Sequence, residues 1–251
     1  MNKTLLRMKQ EAKKLVAGQD LPGFYLACAP ELSFSRTLFF DHPLIHRLRE
    51  DVIPFLYDDY GHGIDHSKKV AIEGGAIVLV EMRGNDLTRA RHLVLLSQMA
   101  GLLHDICRLE EDHAAKGAEL CESILLDYPL DEKDKQRIAF AVADHEAFID
   151  RKQTDDPEAA LLSKALYDAD KFRWGPDNFS TTLWEMCDYN DISVRELLVR
   201  FPDGLEMIKK IATTFRTSVG QTFGPQFIEL GLSLGQDIFK RLVQVTAEDQ
   251  G

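Results

Sequence analysis

The sequence predicts an all-α protein, and three observations support this fold class. Apolar residues recur at steps of three and four, as they do on the buried face of a helix, and residues 43–60 show this pattern clearly. No stretch alternates apolar and polar residues for long enough to form the strands of a sheet. Glycine and proline separate the helical stretches, as at Gly61-His62-Gly63 and at Pro129.

The helical pattern divides the chain into elements of ordinary length. We predict an amphipathic N-terminal helix over residues 2–17, followed by loop and short helix over residues 19–41, where Pro22, Gly23 and Pro30 interrupt any period. Further helices are expected at 43–60, 65–82, 87–107, 112–126, 131–148, 157–172, 178–200, 203–220 and 225–246. Gly220 and Gly224-Pro225 are expected to separate the last two helices.

Composition and charge exclude several classes of function. The 251 residues are 45% hydrophobic and 28% charged, which is typical of a soluble globular protein. The net charge of -11 argues against a nucleic-acid polymer as partner, because such binding depends on Lys and Arg. No apolar run is long enough to span a bilayer and no signal peptide is recognised, so we expect a cytoplasmic protein without a membrane partner. The four cysteines lack Cys-x-x-Cys spacing, which argues against a zinc ribbon or a disulfide framework.

The pair His104-Asp105 closes the apolar stretch 93–103 and is the most informative feature of the chain. An imidazole and a carboxylate at the end of a buried helix are costly unless they are paired or bind a metal. Further histidines and aspartates lie beside similar helical patterns: His66, His113, His145, Asp168 and Asp170. Because helices can bring such scattered side chains together, the sequence predicts a carboxylate-rich metal site.

The order and context of these residues resemble the HD-domain superfamily of metal-dependent phosphohydrolases. The segment 62–70 around His66 is similar to the first motif of that superfamily, Leu102-Leu103-His104-Asp105-Ile106 to the second, and Asp168-Ala169-Asp170-Lys171 to the last. The match covers less than half of the chain. It implies an HD-domain helical bundle over residues 61–175, with accessory helices in residues 1–60 and 176–251 packed around it as one compact domain.

The resemblance implies a first divalent metal ion held by His66, His104, Asp105 and the terminal aspartate. We favour Asp170 over Asp168 for that last position, because Asp170 directly precedes the basic residue of the motif. Two residues apart on a helix, the two aspartates face different sides, so both cannot easily bind the same ion.

The resemblance also implies a second ion. His113 and His145 match the additional histidines of the members that bind two ions, in which the central aspartate, here Asp105, bridges. Nitrogen and oxygen ligands suit Mn, Fe, Co, Ni or Zn, with Mg also open, and the sequence does not choose among them. Asp144 and Glu146 are candidates for orienting His145 through a hydrogen bond.

The activity implied by the resemblance is hydrolysis of a phosphate ester or anhydride by a metal-activated water. His104 and Asp105 are then catalytic as metal ligands, with Lys69 and Arg108 as the catalytic cations. Because Arg108 follows His104 by four residues, a continuing helix would place both on one face. The residues expected to contact the substrate are His62, Lys69, Arg108 and Lys171.

Three functions stay open at this point. The leading one is a phosphohydrolase for a small phosphorylated substrate, with a nucleotide favoured. Relatives with a similar set of four His and two Asp use a diiron centre and oxygen to cleave C–C or C–P bonds, so a diiron oxygenase is the alternative. A module that senses a ligand without turnover is the third. The sequence also leaves a homodimer open.

Overall fold

The computed structural model describes residues 3–56 and 63–248 of the chain. Its helices are α1 (Lys3–Ala17), α2 (Phe24–Ala27), α3 (Ala29–Asp41), α4 (Pro43–Val52), α5 (Ile64–Glu81), α6 (Leu87–Leu103), α7 (His113–Ile124), α8 (Glu132–Ala143), α9 (Pro157–Phe172), α10 (Leu183–Tyr189), α11 (Val194–Ile211) and α12 (Ser218–Glu248). A 3-10 helix at Ile53–Phe55 and a π-helix at Asn178–Thr182 complete the regular structure of these ranges. No strand occurs in them, which confirms the predicted all-α class. No helix in the same ranges combines the length and the hydropathy required to cross a bilayer.

Helix α6 lies at the centre of the fold. Every residue from Leu93 to Leu103 is buried, and a helix that is buried on all sides must be surrounded by other helices. Helix α5 packs along it most extensively, while α4, α8 and α9 cover other sides. Gly101 permits the close approach of α5, because a Cβ atom at this position would lie 2.6 Å from the Cα of Ala71. This approach brings the start of α5 beside the end of α6.

The outer helices pack around this centre. Helix α3 packs on α5, α7 pairs with α8, and α12 contacts α5, α9 and α11. Helix α1 contacts both the π-helix and α12. Helices from both predicted accessory segments therefore contact the central ones, while the segment boundaries at residues 60 and 175 stay a prediction. His62 lies outside the described residues.

Two predicted interruptions are wrong. Helices α2 and α3 cover most of residues 19–41, which were predicted as loop and short helix. Pro30 fits at the start of α3 because the N–H groups of a first helical turn have no partner within the helix. The second predicted interruption is the one between the predicted helices 178–200 and 203–220. Helix α11 begins at a capping box formed by Ser193 and Glu196 and continues through Pro202. The predicted helix 178–200 is instead divided among the π-helix, α10 and the start of α11.

The predicted separation of two helices at Gly220 and Gly224-Pro225 is also wrong, because these residues lie inside α12. Both glycines are required by close packing. A Cβ atom at Gly220 would lie 2.0 Å from Oδ2 of Asp168, and one at Gly224 would lie 2.3 Å from the ring of Phe215. The absence of a side chain at these positions therefore lets α12 approach its neighbours rather than ending a helix.

Candidate metal centre

The ends of five helices meet at the predicted metal site. His66 lies in the first turn of α5, His104 directly follows α6, and His113 begins α7. His145 lies just beyond α8, and Asp170 lies in the last turn of α9. All of these side chains are buried except that of His113, which is half-buried. The bundle thus gathers residues that are far apart in the sequence.

His66, His104 and Asp105 form the first group of potential ligands. The Nε2 atoms of His66 and His104 lie 3.1 Å apart. Oδ2 of Asp105 lies 3.5 Å from Nε2 of His66 and 3.2 Å from Nε2 of His104. Ligand atoms that bind one ion at about 2.1 Å stand roughly 3.0–3.4 Å apart in octahedral or tetrahedral sites, so this spacing fits a single divalent ion.

Asp105, His113 and His145 form the second group. The Nε2 atoms of His113 and His145 lie 3.3 Å apart. Oδ1 of Asp105 lies 3.8 Å from Nε2 of His113 and 3.6 Å from Nε2 of His145. The two oxygens of one carboxylate therefore face two different pairs of histidines, which is the arrangement that a ligand bridging two ions requires.

Asp170 lies beside the first group, and Asp168 does not. Oδ1 of Asp170 is 3.3 Å from Nε2 of His66 and 3.9 Å from Nε2 of His104. Asp168 instead accepts hydrogen bonds from the backbone N–H and the hydroxyl of Thr217, at 2.8 and 2.6 Å. The structure thus places Asp170 at the centre and Asp168 at the contact between α9 and the residues before α12.

Hydrogen bonds on the outer side of the rings orient two of the histidines. Nδ1 of His104 donates to the carbonyl of Gly101 at 2.9 Å, and Nδ1 of His145 donates to the carbonyl of Val142 at 2.6 Å. A neutral imidazole that donates from Nδ1 carries a lone pair at Nε2. Both rings therefore present a metal-binding atom to the centre.

His113 is oriented by Glu146 instead of by a backbone carbonyl. Nδ1 of His113 lies 2.6 Å from Oε1 of Glu146. The prediction that Asp144 or Glu146 orients His145 is therefore wrong, because Glu146 pairs with the neighbouring ligand. Asp144 accepts a hydrogen bond from Ser163 at 2.6 Å. The Glu146 carboxylate fixes the orientation of the His113 ring and raises the basicity of its Nε2 atom.

The electrostatics of the centre favour positive charge, either a proton or a bound cation. Burial lowers the pKa of His104, but the neighbouring carboxylates outweigh it and raise that pKa, so an ion bound there would replace a proton. Burial raises the pKa of Asp170, but Lys171 and the adjacent histidines outweigh it and hold that pKa well below its usual range. Burial lowers the pKa of His113 to about 4, with a further contribution from His145, so this ring is neutral at pH 7. Neutral imidazoles and ionised carboxylates are the protonation states that metal binding requires. These buried His and Asp groups can hold a metal ion, whose identity the donor atoms leave open.

The metal centre opens into a cavity of about 520 Å³. Three cationic side chains line it together with the ligands: Arg108, Lys171 and Arg173. Nη1 of Arg108 donates to Nε2 of His113 at 3.1 Å, and Nζ of Lys171 donates to Asp170. A concave site that combines metal ligands with several cations suits a small anion.

Two of the predicted cations lie differently from the prediction. The helix does not continue from His104 to Arg108, because α6 ends at Leu103 and turns follow. Arg108 reaches the cavity from these turns. Lys69 does not line the cavity, and its Nζ lies 2.8 Å from Oδ1 of Asp177. This placement gives no support to a direct contact between Lys69 and the substrate.

Arg173 lines the cavity although it was not among the residues predicted from the sequence. It is buried and forms ion pairs with Glu73 and Asp177, and among the described residues its Nε has no hydrogen-bond partner. Burial raises the pKa of Glu73, while the Arg173 guanidinium opposes that rise. The available signal was a second basic residue shortly after the motif that ends in Lys171.

Comparison of the chain with family models, with curated proteins and with solved structures finds no match. The resemblance to the HD-domain superfamily therefore depends on the sequence motifs.

Proposed function

We propose that this protein is a metal-dependent phosphohydrolase that cleaves a phosphate ester or anhydride of a small molecule. The observation that carries the proposal is the position of Asp105, whose two carboxylate oxygens face separate pairs of histidines. When bound, metal ions would supply a water of lowered pKa and positive charge beside the phosphoryl oxygens. The resemblance of the motifs to the HD-domain superfamily supports the same reaction.

The cationic residues of the cavity give the phosphoryl group its binding partners. Arg108 carries a planar guanidinium group, which matches phosphate oxygens in pairs of hydrogen bonds. Lys171 and Arg173 are already paired with carboxylates and contribute positive charge at the wall of the cavity. These cations would offset the negative charge that develops on the phosphoryl oxygens during hydrolysis. Nη1 of Arg108 lies 3.1 Å from Nε2 of His113, at the edge of the metal centre. An ion bound by that nitrogen would displace this hydrogen bond and leave the guanidinium for the phosphoryl group.

The size of the cavity agrees with a small-molecule substrate. Its volume of about 520 Å³ lies within the range of ordinary ligand pockets. Phe148 and Trp174 line it and offer aromatic faces on which a base can stack. A nucleotide is therefore one substrate class to test, together with other phosphorylated small molecules.

The proposal is tested by metal-reconstituted protein. After removal of metal and addition of Mn²⁺ or Co²⁺, the protein should release inorganic phosphate from such compounds. His104→Ala and Asp105→Ala should each lower the rate by more than about a hundredfold, since even the loss of a residue that only orients a ligand costs 10- to 100-fold. His46→Ala is the matched control, because His46 is exposed on α4 and should retain full activity. Equal rates for the wild type and His104→Ala would contradict the proposal.

A diiron oxygenase is the second candidate, because a carboxylate between two histidine pairs also suits two iron ions. Protein purified without oxygen and loaded with Fe²⁺ would then consume oxygen in the presence of substrate and release no phosphate. A module that only senses its ligand would bind a nucleotide in calorimetry with neither phosphate release nor oxygen consumption.

A further inference from the structure

A second cavity of about 630 Å³ adjoins the metal-site cavity. The elements that line it are the π-helix, α10, α11 and the turn between α10 and α11. Its buried lining consists of the side chains of Phe179, Cys187, Leu197, Phe201 and Ile208. The charged side chains among its lining, Glu196 and Arg200, belong to exposed residues. The buried part of this cavity, which we call the apolar cavity, is therefore suited to hydrocarbon.

The apolar cavity and the metal-site cavity share part of their lining. The residues that line both are Asn178, Met186, Gly204 and Ile208. Gly204 has no side chain to fill the boundary, and a Cβ atom built there would meet no heavy atom within 4 Å. Met186 is unbranched and adapts its shape easily. Two of the four shared residues, the exposed Gly204 and the flexible Met186, therefore leave room between the two cavities beside Asn178 and Ile208.

The π-helix at Asn178–Thr182 lies at the same boundary. Phe179 lines the apolar cavity, Thr182 lines the metal-site cavity, and Asn178 lines both. A π-helix is a rare element that occurs frequently at functional sites, because its wider turn changes which residues face each side. Here one widened turn contributes residues to both cavities.

The two cavities differ in the chemistry that they offer. The metal-site cavity has the ligands and the cations Arg108, Lys171 and Arg173, whereas the buried lining of the apolar cavity carries only carbon and sulfur groups. A nucleobase placed against this buried lining would lose hydrogen bonds to water, which is costly. It would find partners only at the edge of the cavity, in Asn178, Asn190, Glu196 and Arg200. A hydrocarbon chain has no hydrogen-bonding groups and gains from burial.

We propose that the apolar cavity binds the apolar part of the substrate, which makes the substrate the phosphate ester of an alcohol with a long alkyl or prenyl chain. This inference rests on the proposed phosphohydrolase activity. Water would break the P–O bond, transferring its hydroxyl group to phosphorus and a proton to the departing alcohol oxygen. The products are a long-chain alcohol and inorganic phosphate, and no further reactant is needed.

Binding of non-hydrolysable alkylphosphonates tests this inference independently of turnover. Methyl-, butyl- and octylphosphonate are titrated into metal-loaded protein by calorimetry. Each methylene that enters the apolar cavity should lower Kd by roughly fourfold. In Gly204→Leu, the butyl and octyl compounds should lose this increase in affinity, while methylphosphonate should bind with the same Kd as in the wild type. Gly204→Ala is the matched control and should retain the gain, because a single methyl group fills little of the boundary.

The outcomes separate this inference from the proposed function. If affinity rises with chain length in the wild type and does not rise in Gly204→Leu, the apolar cavity is the binding site. This conclusion holds even if no phosphate is released from octyl phosphate. Equal affinity for all three phosphonates would overturn the inference, and so would a full gain in Gly204→Leu. Either of these results can occur together with phosphate release from nucleotides. The protein would then be a phosphohydrolase whose substrate has no long apolar chain.

Discussion

The hydroxyl and the backbone N–H of Thr217 both donate to Oδ2 of Asp168, at 2.6 and 2.8 Å. These hydrogen bonds attach the residue that precedes α12 to the last turns of α9. Asp170, only two residues later, lies beside His66 at the metal centre. Because residues two apart on a helix face different sides, one turn of α9 serves both the packing of α12 and the metal site.

We expect Asp168→Ala and Asp170→Ala to have different effects. Asp168→Ala should lower the free energy of unfolding by about 3 kcal/mol, because it leaves buried donors of Thr217 without an acceptor. Its metal content should be unchanged. Asp170→Ala should lower the metal content. Urea unfolding of metal-free protein and metal analysis after reconstitution measure the two effects, and loss of metal from a folded Asp168→Ala would show that Asp168 is the ligand.

Two glycines within helices should respond in opposite directions to alanine. Gly204→Ala should raise the free energy of unfolding by about 0.5–1 kcal/mol, since alanine favours a helix and its Cβ meets nothing within 4 Å. Gly220→Ala should lower it by about 1–3 kcal/mol, since the Cβ would lie 2.0 Å from Asp168. Thermal and urea unfolding of the two variants measure this difference. A stabilising Gly220→Ala would contradict the packing between α9 and α12.

The metal site is more predictable from the sequence than its surroundings. His104-Asp105 is recognisable because a polar pair at the end of a buried apolar helix is costly unless it is paired or binds a metal. Gly220 is different, because a glycine that ends a helix and a glycine that accommodates the carboxylate of Asp168 look the same in a sequence. Arg173 is equally hidden, since its partner Glu73 lies on α5 and only the packed bundle brings the two together.

The network between α8 and α9 predicts a dependence of stability on pH. Asp156 caps α9 and accepts hydrogen bonds from the N–H of Glu158 and from Nε of Arg137, both at 2.9 Å. Burial raises the pKa of Asp156, but these donors outweigh it and lower the pKa to about 2. A carboxylate with a lowered pKa stabilises the fold above its unfolded pKa of about 3.9, and this contribution is lost as the pH falls toward 2.

Variants at Asp156 separate its charge from its role as a helix cap. Between pH 6 and pH 3 the wild type should lose about 1 kcal/mol of unfolding free energy more than Asp156→Asn does. Asparagine is also a good N-cap, so Asp156→Ala should be less stable than Asp156→Asn by about 1 kcal/mol at pH 6. Urea unfolding at several pH values measures both differences. Parallel pH curves for the wild type and Asp156→Asn would show that the Asp156 charge is not coupled to folding.

The position of Asp105 between two histidine pairs makes a prediction about metal stoichiometry. Wild-type protein reconstituted with Mn²⁺ or Zn²⁺ should bind two ions, and His145→Ala should bind one. Asp105→Ala should lose affinity for both, because Asp105 alone among the residues that the structure describes belongs to both groups. Since an ion that binds the folded state stabilises it, the melting temperature should fall in the same order. Metal analysis and thermal unfolding, with His46→Ala as the control, measure these effects. If Asp105→Ala retains one ion with wild-type affinity, the carboxylate serves one metal and does not bridge.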